Sequence, residues 1–366
     1  MHALKRFGTA FGGYKMMDNY PVPECGPDDI ILEIKAAAIC GADMKHWGVD
    51  NGYDDTNITP DQQQSVRGHE FAGEIVKVGE NVKDWHIGQR VVSDNSAHVC
   101  GVCPACEQGD FLCCEHKVNL GLDNNTWGGG FSKYCKVPGE ILAIHKHAIW
   151  EIPEGIKYEE ACVLDPICNA YKAVAQQSHL IPGQDVVVFG TGPLGLFSVQ
   201  VAKLMGAVNI VMVGLDDDVK VRFGVAKELG ATHCVNGSKE DVVARCTEIC
   251  GRDNLGLVIE CSGANIALKQ AIEMTRPNAE IVRVGMGFKP LEFSINDITA
   301  WNKSIIGHMA YDSTSWRNCI RLLQSGQIKV QPMITHRLGL SQWQEGFDKM
   351  AKKEAIKVIF HYDYND

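Results

Sequence analysis

The sequence has no run approaching the ~20 consecutive apolar residues a membrane-spanning helix needs, so an intramembrane role is excluded. It also has no surplus of positive charge. Thirty-five Lys and Arg stand against 45 Asp and Glu, a net charge of −10. Such a balance cannot neutralise phosphates, which argues against nucleic acid or an anionic membrane as partner. Lys5 and Arg6 are followed by no apolar core, so residues 1–11 do not read as a secretion signal. Internal repeats, low-complexity tracts and long linkers are missing as well. What remains is a chain of 366 residues, 45% hydrophobic and 22% charged, the composition of a globular protein long enough for two domains.

Cysteine, by contrast, is abundant, with 15 in the chain. Without a secretion signal, clustered cysteines point to metal or catalysis rather than to a disulfide framework, and to a reducing, cytoplasmic setting. Cys162, Cys234 and Cys261 sit among apolar neighbours and read as small buried side chains.

Two rhythms divide the chain. Up to about residue 155 it is rich in turns, glycines and short β-like runs, the clearest being 30–36, 71–78 and 89–93. From about residue 158 strands and helices alternate: strand 185–189, helix 194–205, strand 209–213, helix 218–229, a short strand at Cys234, strand 257–260, helix 266–274 and strand 280–284. Such alternation predicts an α/β domain with a parallel sheet, right-handed crossovers and helices on both faces. Beyond about 308 it gives way to helix 315–324, strand 334–337, helix 342–352 and strand 357–361.

Gly190-Thr-Gly192-Pro193-Leu194-Gly195 lies directly after a strand and before a helix. In that setting the first glycine permits the tight turn and the second lets backbone approach a pyrophosphate. The third allows close helix packing, while the helix N-terminus supplies N–H donors. Dinucleotide binding follows. The place for a ribose-binding acid, at the end of the next strand, holds Gly214, with Asp216, Asp217 and Asp218 just beyond. These acids would repel a 2′-phosphate, which favours NAD bound through Asp216, with NADP the alternative; they could equally cap the helix that follows.

Cys100, Cys103, Cys106 and Cys114 have the spacing C-x2-C-x2-C-x7-C, with Cys113 competing for the last place. Four thiolates on short turns can close a tetrahedral site with no open position, which suits a structural zinc. A ferredoxin-type cluster would want a cysteine where Asp110 stands. A second constellation is open. Cys40-Gly-Ala-Asp43 and Gly68-His69-Glu70 offer a thiol, an imidazole and carboxylates, a donor set for a catalytic zinc that keeps a position for substrate.

With Gly128-Gly-Gly-Phe-Ser-Lys-Tyr134, these motifs resemble in order and spacing the zinc-containing medium-chain dehydrogenases, the family of alcohol, sorbitol, threonine and polyol dehydrogenases. The resemblance covers nearly the whole chain. It implies a mostly β GroES-like catalytic domain (1–157, with the zinc lobe at about 95–117), a Rossmann domain (158–307) with a doubly wound parallel sheet, and a return to the catalytic domain (308–366). It further implies one catalytic and one structural zinc per chain, a homodimer or homotetramer, and hydride exchange between a small alcohol or ketone and the nicotinamide. Cys40 and His69 would be ligands, Glu70 a ligand or the group just behind one, and Asp43 the residue that orients His69. Asp165 falls where sorbitol- and threonine-type enzymes have a glutamate and ethanol-type enzymes a cysteine ligand. The shorter aspartate could reach the metal directly or through water. The resemblance is to enzymes of polyols or amino alcohols, with a threonine-type or polyol-phosphate dehydrogenase as the alternative. Lys45, in place of a histidine of the proton relay, resembles erythritol- and threitol-type enzymes. A relative that kept the fold without the chemistry would be expected to lack Cys40 or His69; both are present.

Overall fold

A computed structural model describes residues 1–7, 13–44, 47, 64–124, 126–287 and 289–363. The chain forms two compact units: Met1–Asp165 with Asp312–Thr314 and Ile334–Asp366, and Pro166–Tyr311 with Ser315–Met333. Among the described residues no helix is long and apolar enough to cross a membrane.

The first unit is built on a seven-stranded sheet. Its hub is Ile30–Ala38, which pairs antiparallel with Glu70–Val78, Tyr134–Val137 and the final strand Lys357–His361. The residues of Ile30–Ala38 are almost all buried because the strand has neighbours along both edges and a core on its face. A separate two-stranded ribbon, Ser96–His98 against Val118–Asn119, closes the loop that carries the four clustered cysteines.

The second unit holds six parallel strands in the order His233–Asn236, Ile210–Gly214, Asp185–Phe189, Leu255–Glu260, Glu280–Arg283, Ser304–Gly307. This is the doubly wound order with a switch point beside the first strand, where such sheets bind ligands. Asp185–Phe189 and Ile210–Gly214 are buried along their full length, which explains their unbroken apolar runs.

Some details differ from the sequence expectation, among them the helix Leu164–Tyr171, which carries Asp165. The stretch 218–229 is not one helix: Asp216–Asp218 forms a 3-10 turn and the helix proper is Arg222–Leu229. Asp218 breaks the run by accepting a hydrogen bond from the Leu215 amide at 2.8 Å, the cap geometry that competes with helix. Between the strand at Cys234 and that at 257–260 lies a helix, Val242–Cys250, with no marked apolar face in the sequence, since its buried face is Val242, Cys246 and Cys250. Its start is fixed by Asp241, which accepts from the Ala244 amide at 3.0 Å. Finally, Ser304–Gly307 adds a sixth strand, largely exposed, whose two isoleucines are too short a run to mark a strand.

Candidate active site

The four clustered cysteines come together. The sulfurs of Cys100, Cys103, Cys106 and Cys114 all lie within 4.8 Å of one another. Cys100 Sγ is 3.6 Å from Cys114 Sγ and 4.0 Å from Cys106 Sγ. A tetrahedron of thiolates around zinc, with Zn–S near 2.3 Å, has edges of about 3.8 Å, so these separations fit it; a disulfide at about 2.05 Å they do not. Cys113 lies outside the cluster, exposed, whereas Cys114 is buried. The backbone explains the donor character: amides of Val102 and Cys103 point at Cys100 and hold its thiol down to about 6, while burial pushes Cys106 up to about 12.

Cys40, His69 and Glu70 form the second cluster, their ligand atoms also within 4.8 Å of one another. Cys40 follows the hub strand, and His69 and Glu70 stand at the start of its partner strand. The pairing of Ala38 with Glu70 brings the two segments together. Gly68, at φ 89°, makes the entry possible, because a side chain there would strike Phe131 at 2.6 Å. Asp43 is fully buried; its Oδ2 accepts from the Cys40 amide at 3.0 Å, and its Oδ1 lies 3.9 Å from His69 Nδ1. Asp165 is not part of this cluster. Its Oδ2 accepts a hydrogen bond from Asn95 at 3.1 Å, yet its charge is felt by both Cys40 and Glu70. Lys45 lies outside the described residues.

One participant was not visible as such in the sequence. Lys357, in the final strand and 1% exposed, donates to Glu70 Oε2 and to the Ile39 carbonyl. Burial opposes its charge, but Glu70 and Cys40 outweigh that and raise its pKa. Burial likewise pushes Glu70 well above the usual carboxylate range and Cys40 above the usual thiol range, with Lys357 acting against both shifts. Glu70 Oε1 and His69 Nδ1 are buried without hydrogen-bond partners. A sulfur, an imidazole and a carboxylate with spare lone pairs are the donor set of a zinc site.

In the second unit the glycine turn takes the form a dinucleotide requires. Gly190 has φ 95°, and a side chain on Gly195 would stand 1.8 Å from the Gly190 carbonyl oxygen. A Cβ on Gly192 would meet nothing within 4 Å, leaving space at the N-terminus of the helix Pro193–Leu204. Leu194 lies in the first turn of that helix. Asp216 is exposed, pairing with Lys239 at 3.1 Å and accepting from Asn236 at 2.7 Å. That hydrogen bond and the lysine hold its carboxyl below the usual range. Gly214 could not be an acid, since its Cβ would lie 2.6 Å from both Phe223 and Thr191.

Comparison with known proteins gives two family matches. Residues 26–147 match the alcohol dehydrogenase GroES-like domain and 193–325 the zinc-binding dehydrogenase domain. A zinc-type alcohol dehydrogenase-like protein of Escherichia coli strain K12, YdjL, is 77% identical over the full length of both chains. The chain belongs to the zinc-type alcohol dehydrogenase family. D-arabitol-phosphate dehydrogenase of Enterococcus avium is 31% identical, over 95% of this chain and 94% of its own. The crystal structure of 2R,3R-butanediol dehydrogenase from Bacillus subtilis superposes with a TM-score of 0.83 at 29% identity, covering 99% of each chain. The fold is accordingly the GroES-like and Rossmann pair of this dehydrogenase family, whose members named here act on CH–OH groups.

Lys357 had a signal in the sequence. A lysine inside Ala355-Ile-Lys-Val-Ile-Phe360, a run buried on both sides, must be paired. What the sequence could not supply was the partner, 287 residues away.

Proposed function

We propose that this dehydrogenase oxidises a polyol-like secondary alcohol to the ketone with NAD, and reduces the ketone in reverse. The observation that carries the reading is the buried meeting of Cys40, His69 and Glu70 beside Lys357. Cys40 and His69 would hold a catalytic zinc. Glu70 Oε1 or Asp165 would complete its protein ligands, and Cys100, Cys103, Cys106 and Cys114 would hold a structural one. Bound at the open site, zinc supplies the Lewis acidity that makes an alcohol hydroxyl easier to deprotonate. Lys357 engages Glu70 Oε2 and leaves Oε1 without a hydrogen-bond partner. Asn95 orients Asp165, whose charge bears on the same pocket. The first unit thus carries the metal and the second the cofactor, which accepts the hydride.

For the cofactor, Asp218 is consumed as a cap on Leu215 and as partner of Arg222, whereas Asp216 stays exposed. Asp216, held by Lys239 and Asn236, would meet the ribose, a reading that its exposed carboxylate supports and that favours NAD over NADP. For the substrate, an acid at Asp165 and relatives that act on an arabitol phosphate and a butanediol support a secondary alcohol with a neighbouring hydroxyl. The same relatives make a phosphorylated polyol the second reading. Exposed Ile305 on the outer strand, with exposed Trp301 and Met309 beside it, supports a homo-oligomer formed along that edge. A cytoplasmic setting accords with fifteen cysteines, none of them in a disulfide.

The test is a screen, resolved for NAD and NADP, across tetritols, pentitols, hexitols, their phosphates, 2,3-butanediol, threonine and simple alcohols. NAD-dependent turnover of a vicinal diol or polyol is expected. Activity confined to primary alcohols would overturn the reading.

A further inference from the structure

Arg67 stands immediately before Gly68 and His69, yet it points the other way in chemical terms, towards Asp43. Its side chain is only 5% exposed and that of Asp43 is 0%. One amino group, Nη1, donates to the Leu122 carbonyl at 3.2 Å; the other, Nη2, lies 3.5 Å from Asp43 Oδ1. That same oxygen is the one 3.9 Å from His69 Nδ1, and it hydrogen-bonds to neither. Tyr14 completes the enclosure: its hydroxyl donates to the Asp43 carbonyl at 2.8 Å and hydrogen-bonds the guanidinium. A guanidinium cannot release its proton in a protein, so Arg67 is a fixed positive charge set against the Asp43 carboxylate.

The consequence concerns His69. A metal-bound histidine is ordinarily a strong donor because its other ring N–H leans on a carboxylate, which raises the basicity of the ligating nitrogen. Here the carboxylate is shared, and its charge is already met by Arg67. We propose that Arg67 is a positioning residue that holds Asp43 off His69, weakening the imidazole as a ligand so that the metal keeps more of its positive charge. The inference rests on the reading of Cys40 and His69 as metal ligands.

The test uses the full-length protein loaded with cobalt(II), followed by competition with a chromogenic chelator and by visible absorption. The open site is distinguished from the four-cysteine site by its loss in Cys40→Ser. In Arg67→Met, Asp43 is released to His69, and cobalt at the open site should be held about tenfold more tightly, with a displaced absorption band. Arg67→Lys keeps the charge without the two-pronged guanidinium and should fall between Arg67→Met and the parent. In an Asp43→Asn background, Arg67→Met should no longer move the band. Unchanged affinity and spectrum in Arg67→Met, or a weaker cobalt site, would overturn the proposal. So would a band shift of the same size with Asn at 43. Should Arg67→Met not fold, Arg67→Lys decides, and cobalt held there as in the parent overturns the idea. A parent that takes up only one metal ion per chain would instead sink the open-site reading itself.

Discussion

The two cysteine-bearing clusters of the first unit are made in opposite ways. In the lobe, all four sulfurs come from residues 100–114, and local turns and backbone amides suffice to converge them. At the open site the participants come from positions 40, 69, 70 and 357, and the sheet pairing brings their segments together. In the lobe the lysine that acts on Cys114, Lys117, is only partly buried. The open site sets Lys357 against Glu70 and Arg67 against Asp43, all buried. Buried pairs of this kind contribute little net stability, but breaking one leaves a charge without compensation. A closed site can be assembled by its own loop, whereas a site that must stay open for substrate needs the rest of the fold to hold its ligands.

The largest effect should come from the open site's own donor. Cys40→Ser is expected to lower kcat for the best alcohol at least about 10³-fold, because even the outer partners of metal ligands cost 10–100-fold. Metal analysis should show one ion lost per chain and the lobe's ion retained. Undiminished oxidation would remove Cys40 from the ligand set.

Next comes the pair behind the ligands. Lys357→Met should destabilise the fold by about 3–5 kcal/mol, the usual cost of leaving a buried charge unpaired. Denaturant unfolding measures it, and Lys357→Met combined with Glu70→Gln should recover part of the loss. A single-variant loss below about 1 kcal/mol would mean that the pair is not the strut described here.

The lobe should be gentler. Cys103→Ser is expected to lower stability by about 2 kcal/mol, within the ordinary range for one substitution. The ribbon Ser96–His98 with Val118–Asn119 and the core beneath it still tether the loop. Thermal unfolding and zinc content per chain check this, and activity per folded chain should change far less than stability.

The same contrast governs how much could be read from the sequence. The lobe was legible to the level of residues, because C-x2-C-x2-C is a statement about local chain geometry; only the choice between Cys113 and Cys114 needed the fold, which exposes one and buries the other. The parallel sheet was legible from longer buried apolar runs such as Asp185–Phe189, but not at Ser304–Gly307, where only two isoleucines, in a largely exposed strand, make up the run. Cys40, Asp43, His69 and Glu70 could be grouped by resemblance, but nothing local links them to Lys357 or Arg67. Those pairings depend on strand register and on burial, and neither is encoded within a few residues of the site.

Asn95 joins the two regions and should give the smallest effect. Its carbonyl accepts from the Leu120 amide at 2.7 Å, just past the strand that closes the lobe, while its side chain donates to Asp165 at 3.1 Å. It holds φ 60°, a conformation asparagine tolerates better than alanine. Asn95→Gly keeps the backbone and deletes the side-chain contact, so a loss of about 1 kcal/mol is expected, with a roughly twofold to threefold rise in KM for the alcohol. Asn95→Ala should lose about 1 kcal/mol more by straining the backbone. If the regions are coupled through this residue, Asn95→Gly and Cys103→Ser will not add in unfolding measurements. Strict additivity would show that the lobe and the open site stand apart, each held by its own part of the fold.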